Sequence, residues 1–282
     1  MRDKVCLVTG ATSGIGRVAA RELARMGATV VAVARDRARG EAAVAEFAEA
    51  GGRPAELLVG DLSVQADVRR VAAEFLRRHP RLDVLVNNAG AIHAERELTA
   101  DGIERTFAVN HLAYFLLTAL LLPALESAPA GRVVSVSSEA HRGVRRLDFD
   151  NLQGERRYTP MRAYSQSKLE NVLFTYELAR RLGRTRVTAN CLHPGVIRTG
   201  FGRNNGGVVG ALFTLAAPLF ASPEKGARTT IHLASSPRVE GTTGRYFRRE
   251  RPAASSRASH DAHAARRLWG VSEALTRGGR RA

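Results

Sequence analysis

Short apolar, β-branched runs recur at intervals of roughly 25–30 residues, each followed by a longer stretch with apolar positions at helical spacing. The strand-like runs cover 5–9, 29–34, 55–59, 84–87, 132–137 and 187–192, with a short seventh near 244–247. Helical stretches fill 14–26, 38–50, 64–78, 102–126, 163–182 and 223–233. Strands that alternate with helices in this way predict βαβ units. Their near-continuous apolar character predicts a parallel sheet covered on both faces. The pattern therefore predicts one α/β domain, a doubly wound, mostly parallel seven-stranded sheet over 1–247. Beyond it, 248–282 is rich in Arg and Ala and is expected to be a loose tail with one short helix near 263–275.

The turn after the first strand is Thr9-Gly10-Ala11-Thr12-Ser13-Gly14-Ile15-Gly16, and a helix follows. Glycines in such a turn let backbone N–H groups approach a pyrophosphate at a helix N-terminus. The spacing G-x-x-x-G-x-G differs from the general G-x-G-x-x-G fingerprint. It is not a Walker A loop either, because Arg17-Val18 follow Gly16 in place of Lys-Ser/Thr.

Composition narrows the picture. Two cysteines, Cys6 and Cys191, lie inside apolar runs and read as buried thiols, which fits a reducing, cytoplasmic setting. The longest apolar run, 208–221, is interrupted by Gly210, Thr214 and Pro218 and is too short to span a bilayer, so no membrane span is expected. The net charge of +16 comes almost wholly from arginine, since Lys4, Lys168 and Lys225 are the only lysines. These arginines are scattered without any nucleic-acid-binding motif, so no nucleic-acid partner is expected. His260 and His263 lack a third ligand nearby, so no metal is expected.

Taken in order, the motifs resemble those of the short-chain dehydrogenase/reductase family, a Rossmann-type fold. The resemblance runs from about residue 4 to 247 and is carried by the 9–16 loop, Asp61-Leu62, Asn87-Asn88-Ala89-Gly90, Asn110, Ser138, Tyr164-x-x-x-Lys168, Pro194-Gly195 and Thr199. It implies cofactor contacts from Gly10, Thr12, Ser13, Gly14, Ile15, Gly16, Asp61, Leu62, Asn88, Ala89, Gly90, Tyr164, Lys168, Pro194, Gly195, Val196 and Thr199. It also implies a homodimer through the two long helices, and a substrate lid over about 199–222. Asn110-His111-Leu112, Ser137-Ser138-Glu139-Ala140-His141, Asn151-Leu152-Gln153-Gly154 and Leu192-His193-Pro194-Gly195 resemble the retinol dehydrogenase-like branch.

The chemistry expected is hydride transfer between a nicotinamide and a carbonyl or alcohol. Four residues apart on a helix, Tyr164 and Lys168 share a face. The ammonium is expected to draw the phenol's pKa down, so that Tyr164 can act as acid and base. By resemblance, Ser138 binds the reacting oxygen, Lys168 also holds the nicotinamide ribose, and Asn110 supports a water-linked proton path. His111 and His141 stand beside these residues as minor candidates for substrate contact. The apolar lid positions (Val208, Val209, Leu212, Phe213, Leu215, Leu219, Phe220) point to a lipophilic substrate, retinal-like, long-chain or polycyclic. A ketoreductase of polyketide type and a non-catalytic dinucleotide sensor remain the alternatives. NADP(H) is favoured over NAD(H), because the position where an NAD enzyme of this family carries an acid is Ala34, with Arg35 next to it and Arg17 near the same phosphate. Asp36 is expected to turn away.

Overall fold

The computed structural model describes residues 1–183, 185–195 and 222–277. Its strands are β1 (Val5–Thr9), β2 (Thr29–Ala34), β3 (Glu56–Val59), β4 (Val84–Asn87), β5 (Arg132–Val136), β6 (Thr188–His193), β7 (Arg245–Arg248) and β8 (Arg251–Pro252). They form one sheet in the order β3-β2-β1-β4-β5-β6-β7-β8. Seven strands run parallel, as expected. The eighth is two residues long and pairs antiparallel with β7, Arg248 opposite Arg251. Arg249 and Glu250 turn that corner with φ of 50° and 63°, the left-handed conformation that a tight hairpin requires at both central positions.

Alternation along the strands divides the core into two layers. Leu7, Val31, Val33 and Leu85 point to one face, under α3 (Gln65–Arg78), α4 (Arg105–Glu126) and α5 (Pro160–Leu182). Cys6, Val8, Val30 and Ala32 point to the other, under α1 (Gly14–Arg25), α2 (Arg37–Gly51) and α6 (Pro223–Ser235). Both thiols are buried and free.

Helix α4 is where the sequence reading of membrane segments needs correction. With 22 residues and a mean hydropathy of 1.7 in its best window, it is long and apolar enough to cross a bilayer. Here 72% of that window is buried inside the protein, and Leu117, Leu121 and Leu125 pack into the core beside the sheet. Near its start the helix widens into a π-helical turn, Ala108–Leu112.

The tail carries the helix expected near 263–275, but that helix is packed against the domain and not loose. Beyond β8 the chain forms a 3-10 turn, Arg257–His260, and a 16-residue helix, α7 (Ala262–Arg277). Leu268 is 1% exposed. The Trp269 ring meets Phe115 edge-on at 4.9 Å and stacks on Phe174 at 6.0 Å, with the Arg181 guanidinium 4.3 Å from its centroid. Helix α7 thus packs against α4 and α5, the two helices through which the resemblance implies a homodimer.

Candidate functional site

The C-terminal ends of β1, β4, β5 and β6 meet at one edge of the parallel sheet, and the candidate residues are gathered there. Thr9 ties the first two together. Its Oγ1 accepts from the N–H groups of Asn88 (2.9 Å) and Ala89 (3.0 Å), while the Asn88 amide donates to the Thr9 carbonyl at 2.9 Å. The chain then turns through Gly10 at φ 65° and Gly14 at φ 54°. A Cβ on Gly16 would lie 2.4 Å from the Gly10 carbonyl oxygen and 2.3 Å from the Asn88 amide nitrogen, so no side chain fits there. Ser13 caps α1 with extended backbone but makes no side-chain cap bond. Thr12 and Ser13 lead into the N-terminus of α1 and Gly14 and Ile15 open it, a fit for an anionic pyrophosphate.

The neighbouring charges are arranged for a further decision. Arg35 is exposed just beyond β2. Asp36 is turned to its own helix, its Oδ1 accepting from Arg39 N–H at 3.0 Å as the N-cap of α2. Arg17 pairs with Glu46 on α2 at 2.5 Å, so the expected approach of Arg17 to a phosphate would require that pair to open. Asp61 accepts from Ser63 N–H at 2.9 Å and donates its own N–H to Asp67, and Leu62 is buried beside it.

Towards the centre of the sheet, Ser138, Tyr164, Lys168 and Asn110 come together. Tyr164 and Lys168 sit one turn apart on α5, with Lys168 Nζ 5.5 Å from the Tyr164 ring centroid. The Lys168 ammonium donates to the Val136 carbonyl at 3.1 Å. A Cβ on Gly90 would stand 3.4 Å from that nitrogen and 3.3 Å from Asn110 Oδ1, which places the loop after β4 directly against both. Asn110 lies in the π turn of α4. Its Oδ1 accepts from Ala91 N–H at 2.8 Å, and its amide donates to the Ala91 carbonyl and Ser167 Oγ, both at 2.9 Å. It therefore fixes the β4 loop against α5 and makes no direct bond to Lys168 among the contacts described. π turns inside α-helices recur at functional sites, and nothing in the sequence pattern announces this one.

Burial sets the protonation states. Lys168 is pushed down to about 7 because its charge is removed from water. Burial pushes Tyr164 up to about 12, against a hydrogen bond from Ser138 that favours the phenolate. The expectation that the Lys168 ammonium pulls the phenol down is not met by the protein's own groups: desolvation outweighs them. Tyr164 is a protonated acid at neutral pH.

Two histidines expected as minor substrate contacts are buried instead. His111 hydrogen-bonds Ser272 Oγ of α7 at 2.9 Å and stacks on Phe107. His141 bonds the Ser138 carbonyl at 2.6 Å. His260 bonds Ser255 Oγ at 3.0 Å. Among the described residues no group of three His, Cys, Asp or Glu is placed to hold a metal. Sequence reasoning missed the hydroxyl struts: Ser137 Oγ donates to the Lys168 carbonyl at 2.7 Å, and Ser167 Oγ to the Tyr164 carbonyl at 2.8 Å. Their adjacency to Ser138 and Lys168 was the available signal. Pro194 and Gly195 (φ 99°) end the described part of this edge. Val196, Thr199 and the lid expected over 199–222, apart from Ser222, lie outside the described residues.

A profile of the short chain dehydrogenase family matches residues 4–206. The chain belongs to that family. Within this family of oxidoreductases it falls in the retinol dehydrogenase-like branch. It is 45% identical to Homo sapiens retinol dehydrogenase 14 over 292 aligned positions, covering 98% of this chain and 87% of the relative. A crystal structure of an uncharacterised protein from Mycobacterium paratuberculosis superposes with a TM-score of 0.79 at 37% identity, covering 98% of this chain and 94% of that one. A short-chain dehydrogenase from Shigella flexneri in complex with NADP aligns with a TM-score of 0.69 at 26% identity, covering 89% of this chain and 98% of that one. Short-chain dehydrogenases bind a nicotinamide dinucleotide, and the glycine turn before α1 has the shape to take it.

Proposed function

We propose that this short-chain dehydrogenase interconverts a lipophilic carbonyl compound and its alcohol, with NADP(H) as coenzyme. The observation that carries the reading is the convergence of Ser138, Tyr164 and Lys168 beside the glycine turn. When bound, the nicotinamide supplies hydride from its C4 to the carbonyl carbon, or takes it back. Tyr164 Oη then gives its proton to the carbonyl oxygen. A phenol held up to about 12 carries that proton across the whole neutral range. The Ser138 hydroxyl, already bonded to Tyr164, lies where it can donate to the same oxygen and stabilise developing charge. Lys168 Nζ, anchored at the Val136 carbonyl, holds the ribose and replaces the proton Tyr164 has given up. Asn110 keeps the loop at Gly90 and Ala91 in register with α5.

In the reverse direction Tyr164 must lose its proton first. From about 12, a phenolate at pH 7 would cost roughly 7 kcal/mol at 1.36 kcal/mol per unit. Reduction leaves the same phenolate once Tyr164 has given its proton, so positive charge beside the phenol assists the reaction in both directions.

The lipophilic substrate is supported by the retinol dehydrogenase relatives and by the apolar stretch 208–220. Preference for NADP(H) is supported by Arg35, by Asp36 being engaged as a cap, and by the NADP complex of the Shigella flexneri relative. The test follows NADPH oxidation across a panel of carbonyls. The account expects higher kcat/KM for retinal-sized, long-chain or polycyclic compounds than for acetaldehyde-sized ones. Equal efficiency across sizes would remove the lipophilic assignment, and activity confined to β-ketoacyl compounds would favour a ketoreductase.

A further inference from the structure

The peptide unit that follows Ser138 is held at both ends by histidines. Its carbonyl, that of Ser138, accepts from His141 Nδ1 at 2.6 Å. Its N–H, that of Glu139, donates to His193 Nδ1 at 3.2 Å. Fixing this plane fixes the backbone angle that aims the Ser138 side chain, whose Oγ accepts from Ala140 N–H at 3.2 Å. That bond uses an oxygen lone pair and leaves the one hydroxyl proton for Tyr164 or, with substrate bound, for the reacting oxygen.

His141 is itself pinned from the other side. Its Nε2 accepts the backbone N–H of Ser256 at 3.0 Å, a residue 115 positions later in the segment that leads to α7. A carbonyl can only accept and a backbone N–H can only donate, so the ring is neutral with its proton on Nδ1. The ring is fully buried against Tyr246, centroids 5.1 Å apart. Around it stand Glu139, whose carboxylate accepts from Tyr246 at 2.8 Å and pairs with Arg142 at 2.9 Å, then Arg248 at 3.9 Å from that carboxylate, and His193.

We propose that His141 is a positioning residue for Ser138 and that the C-terminal segment holds it there through the Ser256 N–H. The segment beyond β8 is in this way part of the frame of the reaction centre. The inference rests on the role given to Ser138 above. A ring that merely filled space would need neither its bond to Ser138 nor its bond to Ser256.

Ser256 allows a clean test. Its φ is −68° and it sits at the N-cap of the 3-10 turn, with Ser255 outside any helix. Proline adopts that φ without strain and deletes the N–H. Ser256→Ala removes the hydroxyl and keeps the N–H, and serves as control. Ser256→Pro is expected to lower kcat roughly 10-fold, the scale of one well-placed neutral hydrogen bond. NADPH affinity by fluorescence titration and the melting temperature should stay near wild type, and Ser256→Ala should match wild type throughout. The acid limb of the kcat–pH profile should move to higher pH in Ser256→Pro, because the N–H no longer opposes a proton on His141 Nε2. In a Ser138→Ala background, Ser256→Pro should cost nothing further.

Wild-type turnover with an unmoved acid limb in Ser256→Pro would overturn the positioning role. So would an equal further loss in the Ser138→Ala background. A wild-type chain that oxidises NADPH with no carbonyl would instead overturn the functional reading itself, which separates the two failures.

Discussion

Arg35 and Asp36 decide between a ribose hydroxyl and a phosphate by a difference of one residue. Arg35 projects from the end of β2 with no ion pair among the described contacts, while Asp36 spends its carboxylate on Arg39 N–H. A charge-assisted contact from a guanidinium to a 2′-phosphate is worth roughly 1.5–3 kcal/mol, or about 10- to 150-fold. Arg35→Ala should lower kcat/KM for NADPH by that factor and leave NADH almost unchanged. A wild type that prefers NADH would show that Asp36 leaves its cap to meet the ribose. Burial makes a second prediction from His111, which lies under α7 and is pushed down to about 3. Its unfolded value is near 6.5, so between pH 6.5 and 3 the unfolded chain holds the proton that the folded chain refuses. Stability is full above about 6.5 and falls as pH drops, by on the order of 5 kcal/mol if the whole shift is expressed. His193, lowered to about 4, and His141 act in the same direction. His111→Gln, which keeps a partner for Ser272, should flatten the fall in urea-unfolding stability between pH 6.5 and 4. An unchanged slope would mean that His111 is not what titrates.

The elements show how far pattern reaches. The strand runs and the glycine turn are legible because they follow strict rules: period two, apolar on both faces, and no side chain where Gly16 meets the Gly10 carbonyl. Tyr164, Lys168, Ser138 and Asn110 could be singled out by order and spacing, and the fold does bring them to one edge. The π turn at Asn110 and the protonation of Tyr164 depend on packing from distant parts of the chain, which no local window contains. Helix α7 was legible as a short helix near 263–275, but its docking was not. Apart from Leu268, its buried face is Ala264, Ala265, Ser272 and Thr276, small or hydroxyl-bearing residues that give only a weak apolar stripe. What secures it is Trp269, against Phe115, Phe174 and Arg181. Because that ring is only partly buried, Trp269→Ala should cost about 2–3 kcal/mol, at the lower end for a large aromatic. That corresponds to a fall of roughly 3–5 °C in melting temperature for a chain of this length. Trp269→Phe should retain most of it. A melting temperature unmoved by the alanine would mean that α7 contributes nothing to the fold.

For the whole molecule, one arrangement links stability to chemistry. The open end of the sheet gathers the glycine turn, the β4 loop and the α5 pair, while the C-terminal segment wraps the outside of α4 and α5 and bonds two histidines next to Asn110 and Ser138. Sequence distance is large, 161 residues from His111 to Ser272, and that is why the connection is invisible to motif reading. The central claim is that Tyr164 transfers the proton in a nicotinamide-dependent reaction. Tyr164→Phe keeps the ring against Lys168 and deletes only the hydroxyl. Binding of NADPH, followed by fluorescence, should be unchanged, and kcat on any carbonyl the wild type reduces should fall at least ~100-fold. A phenylalanine variant that turns over at the wild-type rate would contradict the account.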